Sequence, residues 1–369
     1  MDLRKLHASD KDPFVGYAES RIGGRAENQD SYSYADTKRG FLVTVCDGMG
    51  GGPGGKTASS IAVSEIVNGV NEAADDEKDL QKIVAEAVKR ANKAIVEAGQ
   101  ANPELKGMGS TATVLLLNEQ SAIVAHVGDS RVYQFRGKEK IFRTFDHSVV
   151  FDMVRQKIIT EEQARLSANS NVITRALGIG PELEVEVTEV PYEQGDRFLL
   201  CTDGIHGSMP EPELIKLATN LKNALGPITD NIATTVDELG RKDGGEHDNL
   251  TLALIETKND SKLKEPMSRK TKLILQALGA LCALSLILNV VLFSCSGKKE
   301  DNSGLKTQIL QLRDSVQQKD STIKKQEVII KGLQKDTFKL NTTIEQYRKT
   351  MGDAAKIMDE TAKKLKQEN

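Results

Sequence analysis

Apolar residues along the chain follow three different periods, and each predicts a different kind of element. Up to residue 257 they come in short runs: 41–46 (FLVTVC), 112–117 (ATVLLL), 121–127 (SAIVAHV), 131–136 (RVYQFR), 184–190 (EVEVTEV), 197–202 (RFLLCT) and 250–255 (LTLALI). Runs of this length and composition predict β-strands, and the short turns between several of them predict antiparallel pairing. Spacings of three and four residues predict helices over 56–70, 78–99, 148–157, 161–167, 211–219 and about 225–240. Residues 273–293 (LILQALGALCALSLILNVVLF) form an uncharged run of 21, enough to cross the hydrocarbon core of a membrane as a helix. A helix buried in a soluble core is seldom this long without a charge. From Leu305 to Met351 apolar positions recur in steps of four and three, and eleven of the fourteen seam positions are apolar. Ile or Val at most a positions and Leu at most d positions favours a parallel two-stranded coiled coil.

These periods divide the chain. Residues 1–257 are expected to form the globular domain, 258–272 (KNDSKLKEPMSRKTK) a basic juxtamembrane linker, 273–293 a transmembrane helix and 296–369 a coiled coil. Six basic residues precede the span between 258 and 272, and three follow it at Lys298, Lys299 and Lys306. The positive-inside rule then puts the globular domain in the cytoplasm and the coiled coil outside. A seam over 305–351 predicts a parallel homodimer. The N-terminus, MDLRKLHASDKDPF, carries no apolar stretch of the kind a signal peptide needs.

Charge removes one class of partner. With 50 Lys+Arg against 53 Asp+Glu the chain has no basic excess, so nucleic acid is not expected as a ligand. The cysteines at 46, 201, 282 and 295 have neither metal-knuckle spacing nor a disulfide framework.

Candidate chemistry begins at residues 50–57, GGGPGGKT, a literal match to the phosphate-binding P-loop pattern. That motif belongs on a parallel sheet, whereas the strands here alternate as hairpins. A second pattern explains the loop better. Asp47 and Asp203 each end an apolar run and are followed by glycine; Asp129 follows the run SAIVAHV; Asp248 precedes LTLALI; Asp30 closes RAENQD. Asp-Gly commonly marks turns, which accounts for any one of these but poorly for all five. Five carboxylates at strand edges suit hard cations bound through oxygen.

The ordered motifs RAENQD (25–30), VCDGMGG (45–51), GSTAT (109–113), HVGDSRVY (126–133), FDHS (145–148), NVITRALG (171–178), GDRFLLCTDG (195–204) and HDNLTL (247–252) resemble those of the metal-dependent serine/threonine protein phosphatases, the type 2C (PPM) family, in its bacterial form. The resemblance spans residues 15–256 and makes the P-loop match a coincidence. It implies an α+β fold, an α/β/β/α sandwich of two antiparallel sheets flanked by helices, with a binuclear Mn2+ or Mg2+ centre and possibly a third metal. Carried over by position, Asp47 bridges two metals, Asp203 and Asp248 complete one site, the Gly48 carbonyl serves the other and Asp30 acts nearby. Asp129 with Asp203 holds the third, and Arg25 grips the substrate phosphate, for which a forked guanidinium is well shaped. The implied reaction is hydrolysis of phosphoserine or phosphothreonine in proteins by a water that the metals activate, with no phosphoenzyme.

Two positions depart from many relatives: Gln29 stands where glutamate is common, and Met49 where other members carry a histidine proposed as general acid. His147, in the FDHS motif, is a candidate replacement acid, and a structural role is an equal expectation. Residues 148–180 correspond to the family's mobile flap, where protein-substrate preference is expected to lie. The competing reading is a phosphatase-like scaffold or receptor without catalysis, which the intact acids at 30, 47, 203 and 248 argue against.

Overall fold

The computed structural model describes residues 3–6, 13–50 and 53–263. The proposed span at 273–293 and the heptad seam at 305–351 lie outside the described residues. Among the described residues no helix is long and apolar enough to cross a membrane.

In chain order the first half contains β1 (Arg4–Lys5), β2 (Phe14–Arg21), β3 (Ser31–Thr37), β4 (Gly40–Cys46), β5 (Gly48–Met49), α1 (Gly54–Glu72), α2 (Leu80–Ala101), β6 (Gly109–Ser110), β7 (Ala112–Leu117), β8 (Ala122–Val127), β9 (Arg131–Arg136) and β10 (Glu139–Arg143). The second half adds α3 (Val149–Arg155), α4 (Glu161–Arg165), β11 (Glu186–Val190), β12 (Arg197–Cys201), α5 (Asp203–His206), α6 (Glu211–Ala218), α7 (Leu225–Lys242) and β13 (Leu250–Thr257). One sheet runs β1-β2-β13-β12-β9-β10 and the other β11-β8-β7-β4-β3. Every strand pairing among the described residues is antiparallel, which excludes the parallel sheet of a P-loop protein.

The continuous apolar runs follow from burial on both faces. In β4, Phe41, Val43 and Val45 pack with Phe198, Leu200, Ala253 and Ile255 of the facing sheet. The alternate residues Leu42 and Cys46 point the other way, against Ala58, Ala62 and Ile66 of α1 and Val84 and Val88 of α2. The second sheet does the same, with Leu199, Cys201, Leu252 and Leu254 against Leu214 of α6 and Ile228, Ile232 and Val236 of α7. Helices, sheet, sheet and helices therefore stack in the expected order. Beyond the predicted strands, β2, β3 and β10 are additional. Residues 258–263, read from sequence as the start of a linker, stay attached to this body: Lys258 N–H donates to the Pro13 carbonyl, and the Lys262 and Leu263 amides donate to the carbonyls of Glu119 and Gln120.

Strand register gathers the chemistry at one end. Ser31 pairs with Cys46, so Asp30 and Asp47 flank the same sheet edge. Cys201 pairs with Arg131 and with Leu252, and Leu250 with Arg21. Asp203, Asp129, Asp248 and Arg25 accordingly leave their strands at that same end.

Candidate metal centre

A cleft of about 550 Å³ opens there, lined among others by Arg25, Gln29, Asp47, Gly48, Met49, Asp129, Asp203 and Asp248. The sequence-predicted residues are thus brought together, with Asp30 buried behind the lining. Each element delivers its acid by stopping. Asp47 sits between β4 and β5, its amide donating to Thr111 Oγ1 at 2.9 Å and its carbonyl accepting from Thr111 N–H at 2.8 Å and from Ser110 Oγ at 2.9 Å. Asp203 opens the short helix α5 directly after β12. Gly48 is required for closeness: a Cβ there would lie 2.0 Å from the Gly55 carbonyl oxygen and 2.6 Å from that of Gln29.

Electrostatics show a site with excess negative charge. Burial raises the Asp47 carboxyl well above the ordinary aspartate range, and the charges of Asp30, Asp203 and Asp129 raise it further. Asp129 is raised well above its usual range by burial and then by Asp203. Asp203 is raised by burial and by Asp248. Asp30 is pushed up to about 7, chiefly by burial. Asp30 Oδ1 and Asp203 Oδ1 are buried and have no hydrogen-bond partner among the described residues. Such oxygens are costly unless something positive meets them. An all-oxygen set of buried, mutually repelling carboxylates beside a tightly turned backbone fits hard divalent cations.

Arg25 stands at the cleft mouth, 54% exposed, and its Nη2 donates to Asp248 Oδ2 at 2.9 Å. Asn249 holds that corner: its side-chain amide donates to the Ile22 and Glu27 carbonyls, and its Oδ1 accepts from Gln29 N–H. Thr202 Oγ1 donates to Asp30 Oδ2 at 3.0 Å. Asn249, Thr202 and Thr111 were not singled out from sequence, although each sits inside a motif that was: HDNLTL, CTDG and GSTAT. Asn171 and Ile173 of the flap also line the cleft.

The P-loop residues are employed otherwise. Lys56 Nζ donates to the Asp30 carbonyl at 2.7 Å and to Ser31 Oγ at 3.1 Å, and Thr57 Oγ1 donates to the Pro53 carbonyl. His147 is not at the cleft. It is buried, stacks on His126 with ring centroids 4.5 Å apart, accepts the Gly128 N–H at Nδ1 and faces Glu186 with Nε2. Burial, followed by the neighbouring His126, lowers it to about 4. Its role is to join strand ends beneath the flap.

Comparison with known proteins follows the same residues. The profile of the family described as Protein phosphatase 2C matches residues 18–238. The serine/threonine phosphatase stp of Listeria monocytogenes is 31% identical over 236 residues, which cover 63% of this chain and 88% of that protein. The Mycobacterium tuberculosis serine/threonine phosphatase PstP/Ppp has a crystal structure that superposes with a TM-score of 0.56 at 30% identity, covering 67% of this chain and 99% of that one. A further structure holds the catalytic domain of PstP in complex with two manganese ions; it is 28% identical, with a TM-score of 0.56 over 67% of this chain and 99% of that one.

Proposed function

The chain belongs to the bacterial type 2C protein phosphatases and is a protein serine/threonine phosphatase; on that premise we propose that the carboxylates of Asp47, Asp129, Asp203 and Asp248, with the Gly48 carbonyl and Asp30 behind them, hold its Mn2+ or Mg2+ ions. The observation that carries this reading is the pair of buried, unpartnered oxygens on Asp30 and Asp203 beneath a cleft of repelling acids. Divalent cations in such a site supply positive charge against phosphoryl oxygens and acidify a water molecule. The chain's own residues do the rest. Strand ends fix the spacing of the acids. Thr202 and Thr111 orient Asp30 and the Asp47 backbone. Arg25, half exposed at the mouth, presents a fork of donors to an incoming phosphate, and its bond to Asp248 keeps that fork aimed. With Met49 at the cleft wall and His147 elsewhere, no side chain of this pair delivers a proton to the leaving alkoxide.

The test is hydrolysis of a phosphothreonine peptide by the full chain with Mn2+ and with EDTA. Turnover is expected only with metal, and Asp47→Asn is expected to lower it by orders of magnitude. Full activity in EDTA would reject the assignment. The apolar run at 273–293 supports a membrane anchor, the basic bias of its flanks supports a cytoplasmic catalytic domain, and the seam over 305–351 supports a parallel homodimer outside the membrane through which phosphatase output is regulated.

A further inference from the structure

Arg25 is half exposed, so the side chains around it do little to aim it. Its position comes from the backbone beneath. Turn 22–25 rests directly on loop 245–248. Gly24 N–H donates to the His247 carbonyl at 2.9 Å, and a Cβ on Gly23 would lie 2.1 Å from the Asp248 carbonyl oxygen. Two backbones this close move together. The group that aims the guanidinium, Asp248 Oδ2, stands on the same loop, 2.9 Å from Arg25 Nη2. One short stretch of chain therefore sets the place of both the arginine and its partner.

That stretch is fastened to α7 through the side chain of His247. The ring lies against Gly240, where a Cβ would come within 2.1 Å of the imidazole Cγ. Its Nε2 donates to Asp237 Oδ1 at 2.9 Å. Its Nδ1 is buried and has no partner among the described residues, so the bond at Nε2 alone fixes the rotation of the ring. Asp237 is itself held: Oδ2 accepts from Arg241 Nη2 at 2.8 Å, and Arg21 Nη1 stands 3.8 Å from it. Arg21 is tied down in turn by Glu19, Asp230 and Thr234. A main-chain bond from Gly245 N–H to the Gly240 carbonyl, 3.0 Å long, closes the loop onto the helix. His247 opens the HDNLTL motif, yet neither the metal set nor the phosphate-binding group uses its ring. Resting on the reading of Arg25 as the group that grips the substrate phosphate, we infer that His247, clamped between Gly240 and Asp237, is a positioning residue for that grip. It keeps Arg25 and Asp248 at the spacing in which the guanidinium fork meets a phosphate. A misplacement of about 1 Å can cost about 100-fold in turnover, which gives leverage to a side chain that touches no substrate.

The experiment uses the full chain at saturating Mn2+, with a phosphothreonine peptide as substrate and inorganic phosphate as competing product. His247→Leu is expected to raise KM and the inhibition constant of phosphate by about tenfold each, with the loss carried by KM rather than kcat. His247→Gln, whose amide nitrogen can stand where Nε2 stood, is expected to bring both constants back to within about twofold of the unaltered chain. The decisive step pairs each change with Arg25→Ala. Once the guanidinium is gone, His247→Leu is expected to raise neither constant further, because the two residues act as one unit. An unchanged KM in His247→Leu overturns the inference, and so does a loss confined to kcat or a defect that His247→Gln leaves unrepaired. A tenfold rise that recurs undiminished beside Arg25→Ala overturns it too, since the ring then acts independently of Arg25. If His247→Leu fails to fold, Asp237→Ala, which removes the acceptor of the ring and leaves Arg21 on Glu19 and Asp230, is judged by the same two constants and the same pairing. All these outcomes leave Arg25 as the phosphate-binding group. Arg25→Ala with unaltered KM and unaltered phosphate inhibition rejects that reading, and the inference with it.

Discussion

Thr202 is neutral and buried, yet it helps set the charge state of its acidic neighbour. Its hydroxyl donates to Asp30 Oδ2 at 3.0 Å, a bond that favours the ionised carboxylate. Thr202→Val keeps the shape and removes the donor. Partners one shell out from a metal typically tune affinity or activity by about 10–100-fold, so a Mn2+ titration of activity should shift to higher concentration by that order. An unchanged titration would remove Thr202 from the site. Asp30 itself gives a pH dependence with a definite sign. Its carboxyl rises from an ordinary 3.8 to about 7: burial raises it most, Thr251 pulls it back, and the charge of Asp203 adds to the rise. Between those values the folded, metal-free protein holds a proton that the unfolded chain has released. That stabilising contribution is complete below 3.8 and is lost as pH rises through about 7. Melting in the presence of a chelator should therefore fall between pH 6 and pH 8, and Asp30→Asn should flatten the slope. An unaltered slope in Asp30→Asn would contradict the assignment.

At the scale of elements, strands buried on both faces were legible because they carry almost nothing but apolar residues. ATVLLL appears as written, FLVTVC is extended by Gly40 at its start, and RFLLCT ends one residue earlier, at Cys201. The missed strands are polar for physical reasons. Strand β3, SYSYADT, is an edge strand with mostly half-buried residues, and β10, EKIFR, is the edge of the other sheet. Strand β2, FVGYAESR, buries small and charged residues, with Glu19 fully buried against Arg21. The acids at strand ends were legible because each stands where an apolar run stops. Their helpers Thr111, Thr202 and Asn249 were not, since a threonine or asparagine inside a motif announces no geometry until register places it. The glycine loop carries its own prediction. Gly48→Ala would drive a methyl into two backbone carbonyls that cannot swing away. Overpacking of this kind costs about 1–3 kcal/mol or more, so a melting temperature lowered by several degrees is expected, and an unchanged one would refute the tight turn.

At the scale of the whole molecule, the proposed topology joins a cytoplasmic phosphatase to an external seam. Protease added to intact cells, or to spheroplasts where there is an outer membrane, should trim residues 296–369 and spare 1–257; the reverse pattern would overturn the orientation. Single cysteines at Leu312 and at Leu333, in a chain lacking its native cysteines, should each form same-site disulfides if the seam pairs in parallel. The account's central claim, however, lies in the acids. It is tested most directly by calorimetric titration of Mn2+ into the metal-stripped full chain at pH 7 in buffers of different ionisation heat. Because the carboxyls of Asp30, Asp47, Asp129 and Asp203 are raised in the metal-free fold, binding should release protons, and the measured heat should vary with the buffer. Saturable binding of at least two Mn2+ with proton release, abolished in Asp203→Asn, is the predicted result; no saturable binding, or binding that Asp203→Asn leaves intact, would contradict it.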